Sequence, residues 1–283
     1  MRAYDHNQRS RCRPPIHRAG VPKNADGYVQ PMSFQVAADS YDRFMGRYSG
    51  PLAPKFADFA GVGPDQQVLD VGCGPGALTG ELVRRLGVEA VSAVDPSETF
   101  VTAVRERHPG VEVQQATAEK LPHPDGEFDC VLAQLVVHFM KDPVAGLAEM
   151  SRATRRNGVV AACVWDHAGG RGPLSAFFEA AQRFDPEFDD ESGRAGTRQG
   201  HLAELAEAAG VRQIRETSLS VGVEHATFEE WWQPYTLGVG PVGAYVTGLD
   251  PDRRAELERV CRRSLPTAPF TITASVWAVR GLA

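Results

Sequence analysis

A brief apolar run that empties into a glycine cluster, Val68-Leu-Asp-Val-Gly72-Cys-Gly74-Pro-Gly76-Ala-Leu-Thr79, constrains this chain more than any other feature. An apolar run closed by glycine reads as a buried strand, and glycine lets the backbone turn sharply into a helix. That helix is marked by Leu78, Leu82, Val83 and Leu86 and is closed by Gly87. The alternation continues. Ala90–Val94, Val111–Val113, Phe128–Ala133 and Gly158–Trp165 read as strands. Phe100, Val101 and Val104 mark one intervening helix, and Val144, Leu147 and Met150 another. An earlier helix carries Leu52, Phe56 and Phe59 and stops at Gly61 and Gly63. Strands alternating with helices mean a parallel sheet with right-handed crossovers, so the class is a Rossmann-like, doubly wound α/β fold.

The second half changes character. Helices are expected over 173–184 and 200–209, and a strand over 212–223. Asp250-Pro251 opens a further helix to Ser264, with Asp at the N-cap and Pro in the first position. Phe270–Val279 alternates and is β-branched, the pattern of a last strand. Between them, 225–250 is rich in Gly and aromatics and is read as a lid over the sheet. Trp231, Trp232 and Tyr235 are its candidates for lining a substrate pocket, with plain core packing as the alternative.

Residues 33–283 thus read as one catalytic-type domain behind a tail over 1–32, which is expected to be disordered. Residues 1–31 carry six Arg/Lys against two Asp, a charge of +4, so the remainder holds −10 and the whole chain −6. No basic stripe accompanies that charge, which argues against nucleic acid as a partner. No apolar run approaches the ~18 residues of a membrane span, so integral membrane association is not expected. The five cysteines include no C-x-x-C pair, so neither a zinc site nor a disulfide framework is indicated, and a reducing cytoplasm fits.

Which ligand the glycine turn holds is a question of charge. Asp95 lies 19 residues beyond Gly76 at the end of the second strand, where a carboxylate takes both hydroxyls of a ribose. Gly72-x-Gly74-x-x-Ala77 would pass as a dinucleotide fingerprint, so spacing alone leaves NAD open. Asp70 discriminates: a carboxylate there repels a pyrophosphate and attracts the ammonium of an amino-acid moiety. S-adenosyl-L-methionine has that ammonium and no phosphate. The alternative for Asp70 is a strand-end carboxylate capping local amides.

In order and spacing, these motifs resemble the class I S-adenosylmethionine-dependent methyltransferases, specifically the type 11 group similar to ubiquinone/menaquinone-biosynthesis enzymes. The resemblance covers roughly 38–166 and includes Ala93-Val-Asp95-Pro96-Ser97, Ala116–Asp129, Leu135–His138 and Glu149–Gly158. It implies a seven-stranded, mostly parallel sheet with an antiparallel last strand, and S-adenosyl-L-methionine as cofactor. It further implies methyl transfer by in-line displacement to a small-molecule acceptor. Asp70, Gly72, Gly74, Asp95, Pro96, Ala118, Glu119 and Gln134 fall where the family contacts its cofactor. Position 117, commonly Asp in the family, is Thr117, whose hydroxyl can still accept a bond from the adenine amine. Tyr41 and Arg47 are placed to close over the methionine end, or else belong to an ordinary amphipathic helix. His138, Asp166 and His167 follow strand ends on the ligand side and are the candidates for a general base. Two rival readings remain, a non-catalytic cofactor-binding protein and, more remotely, an NAD-dependent oxidoreductase.

Overall fold

The structure is a computed structural model and describes residues 38–283. The tail expected over 1–32 lies outside the described residues. Seven strands form one sheet: β1 (Val68–Val71), β2 (Val91–Asp95), β3 (Glu112–Gln115), β4 (Phe128–Gln134), β5 (Thr154–Trp165), β6 (Arg212–His225) and β7 (Phe270–Leu282). Their order is β3-β2-β1-β4-β5-β7-β6. β1 pairs in parallel with β2 and β4, β4 pairs in parallel with β5, and β7 is antiparallel to both β5 and β6. The mostly parallel sheet with an antiparallel last strand is therefore present. The strand order reverses between β1 and β4, which opens a crevice at the carboxyl ends of those strands.

The helices are α1 (Ala38–Tyr41), α2 (Arg47–Ala60), α3 (Ala77–Leu86), α4 (Glu98–Arg107), α5 (Pro143–Ala153), α6 (Ser175–Phe184), α7 (His201–Ala208), α8 (Phe228–Trp232), α9 (Gly240–Gly248) and α10 (Pro251–Ser264). A π-helical stretch, Asp42–Gly46, joins α1 to α2. Every residue of β1 is buried, as a central parallel strand covered on both faces requires. Alternate residues serve two cores. Val68, Cys130 and Ala161 pack with Leu52 and Phe56 of α2, Leu82 of α3, Val104 of α4 and Phe177 of α6. Leu69, Val131 and Val160 pack on the opposite face with Leu147 and Met150 of α5 and Leu202 of α7.

The local punctuation behaves as its chemistry dictates. α2 stops at Gly61 in a left-handed conformation, φ 79°. The Asp250 carboxylate accepts a bond from the Arg253 amide at 2.9 Å and caps α10. Strand limits are less local. β5 begins at Thr154 rather than at Gly158, and β6 and β7 extend to His225 and Leu282 because each pairs along the other. The 225–250 segment is two short helices joined by a 3-10 turn, Gln233–Leu237. Trp231, Trp232 and Tyr235 are all buried in the core, where Tyr235 stacks on Phe177 at 4.6 Å.

Candidate active site

The turn from β1 to α3 is stitched to β2: the amides of Gly72 and Cys73 both donate to the Val94 carbonyl, at 2.8 and 3.0 Å. Gly72 has φ 71°, and a Cβ there would lie 2.5 Å from Val136, so only glycine lets the two loops approach. Gly74, at φ 53°, differs: its Cβ would meet nothing within 4 Å, so the backbone there borders open space into which a ligand can come.

Two buried carboxylates flank this turn. Asp70 accepts the Thr79 hydroxyl on Oδ2 at 2.7 Å, while its Oδ1 is buried with no hydrogen-bond partner. Burial drives the Asp70 carboxyl up to about 7, against the Thr79 bond and with the charge of Asp95 adding to the rise. Asp95 accepts from the Gly74 amide on Oδ2 at 2.9 Å and from the Ser97 amide on Oδ1 at 2.8 Å. Burial lifts Asp95 to about 6. Each carboxylate oxygen keeps a second lone pair for a ligand. Tyr41 packs edge-on against Phe100 at 5.3 Å, and burial followed by the charge of Asp95 raises its phenol. The Gln134 amide donates to the Ser49 carbonyl at 3.1 Å, leaving Oε1 buried and unpartnered.

These groups suit a ligand with an ammonium and a diol. A buried carboxylate oxygen without a donor is destabilising unless something cationic meets it. Thr117 and Pro96 are exposed nearby in sequence to β3 and β2, and Ala118 is buried. The Glu119 carboxylate instead accepts from the amides of Lys141 and Asp142, at 2.8 and 3.3 Å, and ties down the loop before α5. Arg47 pairs with Glu230 of α8 and lies 3.4 Å from the His225 ring, so its guanidinium is engaged by partners that β6 and α8 bring to it.

Beyond β4 and β5 the strand-end histidines meet. His138 and His167 are buried with ring centroids 6.1 Å apart. Burial holds the His138 imidazole well below its usual range and His167 down at about 4, so both are neutral at pH 7. Asp166 does not join them as a free carboxylate: Oδ1 accepts the Gly169 amide at 2.9 Å and Oδ2 the Arg171 side chain at 2.5 Å.

Residues 69–162 match the family described as "Methyltransferase domain". Demethylmenaquinone methyltransferase of Mycobacterium sp. (strain KMS) is 32% identical over 176 residues, covering 58% of this chain and 75% of that protein. The chain belongs to the S-adenosylmethionine-dependent methyltransferases. An uncharacterized 37.1 kDa protein in transposon TN4556 of Streptomyces fradiae is 29% identical over 201 residues, covering 69% of this methyltransferase but only 54% of that relative. Among solved structures, the YcgJ protein of Bacillus subtilis has the same fold, with a TM-score of 0.53 at 16% identity over 83% of this chain and 97% of that one. Phosphoethanolamine N-methyltransferase 2 of Haemonchus contortus, solved with S-adenosylhomocysteine, aligns with a TM-score of 0.55 at 15% identity over 87% of this chain and 56% of that one. S-adenosyl-L-methionine is thus the cofactor of this methyltransferase, in agreement with the orphaned oxygen of Asp70.

The methyltransferase also assembles groups that its sequence did not single out. The Tyr48 hydroxyl lies 3.1 Å from His225 Nε2, at a cavity of about 10 Å³ bordered by Phe44, Trp231 and Tyr235. A space that size holds about one water. Glu191, from the loop between α6 and α7, reaches the two strand-end histidines. Its one local signal, a left-handed backbone at φ 61°, belongs to conformation and cannot be read from composition. No helix among the described residues is long and apolar enough to cross a membrane.

Proposed function

We propose that this methyltransferase acts on a small-molecule acceptor with an ionisable hydroxyl, amine or activated carbon, bound at the ends of β4 and β5. The observation that carries the reading is the pair of neutral, buried imidazoles of His138 and His167 beside a crevice whose own carboxylates lack a cation. In this reading Asp70 holds the ammonium of the cofactor and Asp95 its ribose hydroxyls. Thr117 and the amides of Ala118 and Glu119 receive the adenine, and Gln134 Oε1 and Tyr41 border the methionine end. When bound, S-adenosyl-L-methionine supplies an electrophilic methyl on a sulfonium sulfur.

The chain's own contribution is alignment, exclusion of water and removal of a proton. The proton that the acceptor gives up on methylation would be taken by the His138–His167 cluster, and the loops that carry it would align the acceptor with the methyl that the bound cofactor supplies. Asp166 orients this cluster indirectly, by fixing the turn that carries His167. Trp231, Trp232 and Tyr235 meet the acceptor only if the 225–250 segment opens, because the cavity beside them is far too small for an organic molecule. Arg47 reaches the cofactor's carboxylate only by leaving Glu230.

The test is transfer of labelled methyl from the cofactor into the protein-free small-molecule fraction of a cell extract. A labelled product that is lost in the His138→Ala variant, with S-adenosylhomocysteine affinity retained, is the expected result. Retained S-adenosylhomocysteine binding by the wild-type protein without any labelled product would favour the non-catalytic reading.

A further inference from the structure

Three buried side chains from separate loops converge past the carboxyl ends of β4 and β5. His138 follows β4, His167 follows β5, and Glu191 comes from the loop between α6 and α7. Their relative exposures are 8%, 6% and 4%, and one nitrogen or oxygen from each lies within 4.8 Å of the other two. The contacts between them are not hydrogen bonds: His167 Nε2 stands 3.9 Å from Glu191 Oε2, beyond hydrogen-bond range. Neither Nδ1 of the two histidines has a partner among the described residues. Glu191 enters the interior from a left-handed backbone, φ 61°, a conformation uncommon for a residue with a Cβ. Burial raises its carboxyl.

Buried polar groups are normally satisfied by hydrogen bonds, and a buried carboxylate by a cation. Here the Glu191 carboxylate is divided. Oε1 faces Arg194 at 3.4 Å, while Oε2 faces His167 Nε2 at 3.9 Å. Arg194 is itself held over the ring of Phe139, 5.4 Å from its centre. A carboxylate steadied through one oxygen while the other points toward a ligand cluster is the usual arrangement of a metal ligand with its outer partner. The charge balance permits a cation. Arg194 opposes one, but Asp190 and Asp166 also act on the cluster with negative charge, and Arg171 neutralises only Asp166.

We propose that His138, His167 and Glu191 form a binding site for one divalent transition-metal ion of the zinc class. This inference rests on the reading that the ends of β4 and β5 face the acceptor. Two imidazoles and a carboxylate favour zinc, cobalt or nickel over magnesium or calcium, which prefer oxygen alone. Zinc–ligand bonds of ~2.0–2.2 Å put ligand atoms roughly 3.3 Å apart, so the trio contracts by about 1 Å or slightly more on binding. Three protein ligands would leave a coordination position open, where an acceptor oxygen or nitrogen would dock and lose its proton to solvent more readily; with the ion bound, His138 and His167 serve as its ligands instead of taking that proton. The site contains no cysteine and its ligands lie on three different loops, so no spacing along the chain marks it.

Full-length protein, stripped with a chelator and dialysed, is titrated with Co²⁺ while visible absorbance is recorded, and with Zn²⁺ while bound metal per chain is counted. One ion per chain is expected, with d–d bands of a nitrogen- and oxygen-ligated site. Glu191→Gln and His167→Gln are each expected to weaken binding at least 100-fold. S-adenosylhomocysteine titration and circular dichroism on the same variants establish that they are folded. Absence of stoichiometric binding by folded wild-type protein overturns the proposal, as does binding that is unchanged in both folded variants. If the chelated, metal-free protein transfers methyl at the full rate, the acceptor-docking role is overturned while the function proposed above stands.

Discussion

Asp70→Asn separates what the carboxylate does for the cofactor from what it does to the fold. Asp70 is 1% exposed, and burial lifts its carboxyl from the ordinary 3.8 to about 7. A folded state with a raised acid pKa binds a proton that the unfolded chain has already released. Stability contributed by the neutral acid is therefore fully present below about pH 4 and is lost as pH rises toward 7. At ~1.36 kcal/mol per pH unit, the part of that window between pH 5 and pH 7 is worth about 2–3 kcal/mol. Asparagine keeps an acceptor for the Thr79 hydroxyl and has no proton to lose. Urea denaturation of cofactor-free protein at pH 5 and pH 8 gives the stability of wild type and variant at each pH. The variant is expected to gain about 2–3 kcal/mol on wild type between the two, because effects of the substitution that do not depend on pH cancel. Its affinity for S-adenosylhomocysteine is expected to fall roughly 10–100-fold, the value of one charge-assisted bond. A wild-type-minus-variant difference that is the same at both pH values, or an unchanged affinity, would refute the assignment and leave Asp70 a structural cap.

Two further substitutions test the rest of the crevice. Asp95→Ala removes the acceptor for the Gly74 and Ser97 amides and the one proposed for both ribose hydroxyls, so calorimetry should show S-adenosylhomocysteine affinity reduced at least ~100-fold; unchanged affinity would take Asp95 out of the site. Trp231→Ala vacates a side chain that is 2% exposed and should cost about 3–5 kcal/mol in urea denaturation. A much smaller loss, accompanied by defective acceptor turnover, would instead favour a segment that spends its time open.

Several features of this protein could be read along the chain because their causes are local. The glycine turn after β1 needs left-handed backbone within a few residues, and Gly72, Gly74 and Gly76 all adopt it. Asp142 and Asp250 cap α5 and α10 through amides three residues away. Periods of two and 3.6 residues mark which side chains are buried, hence strands and helices. The chemical character of Asp70 and Asp95 follows from their place at strand ends. Other features were decided only when distant segments met. The partner that Arg47 meets, Glu230, lies 183 residues away and has no signal in the sequence around Arg47. The aromatic run of 228–235 carries the same composition whether it forms an open lid or core, and only the fold brings Phe177 under Trp232 and Tyr235 to stack on them. His138 and His167 stand out in the sequence only as separate strand-end histidines, Glu191 does not stand out at all, and no common period joins the three. Their meeting depends on the parallel register of β4 with β5 and on the path of the chain between α6 and α7. Local geometry is written in neighbouring residues, whereas a site gathered from several loops exists only after the sheet has fixed where those loops end.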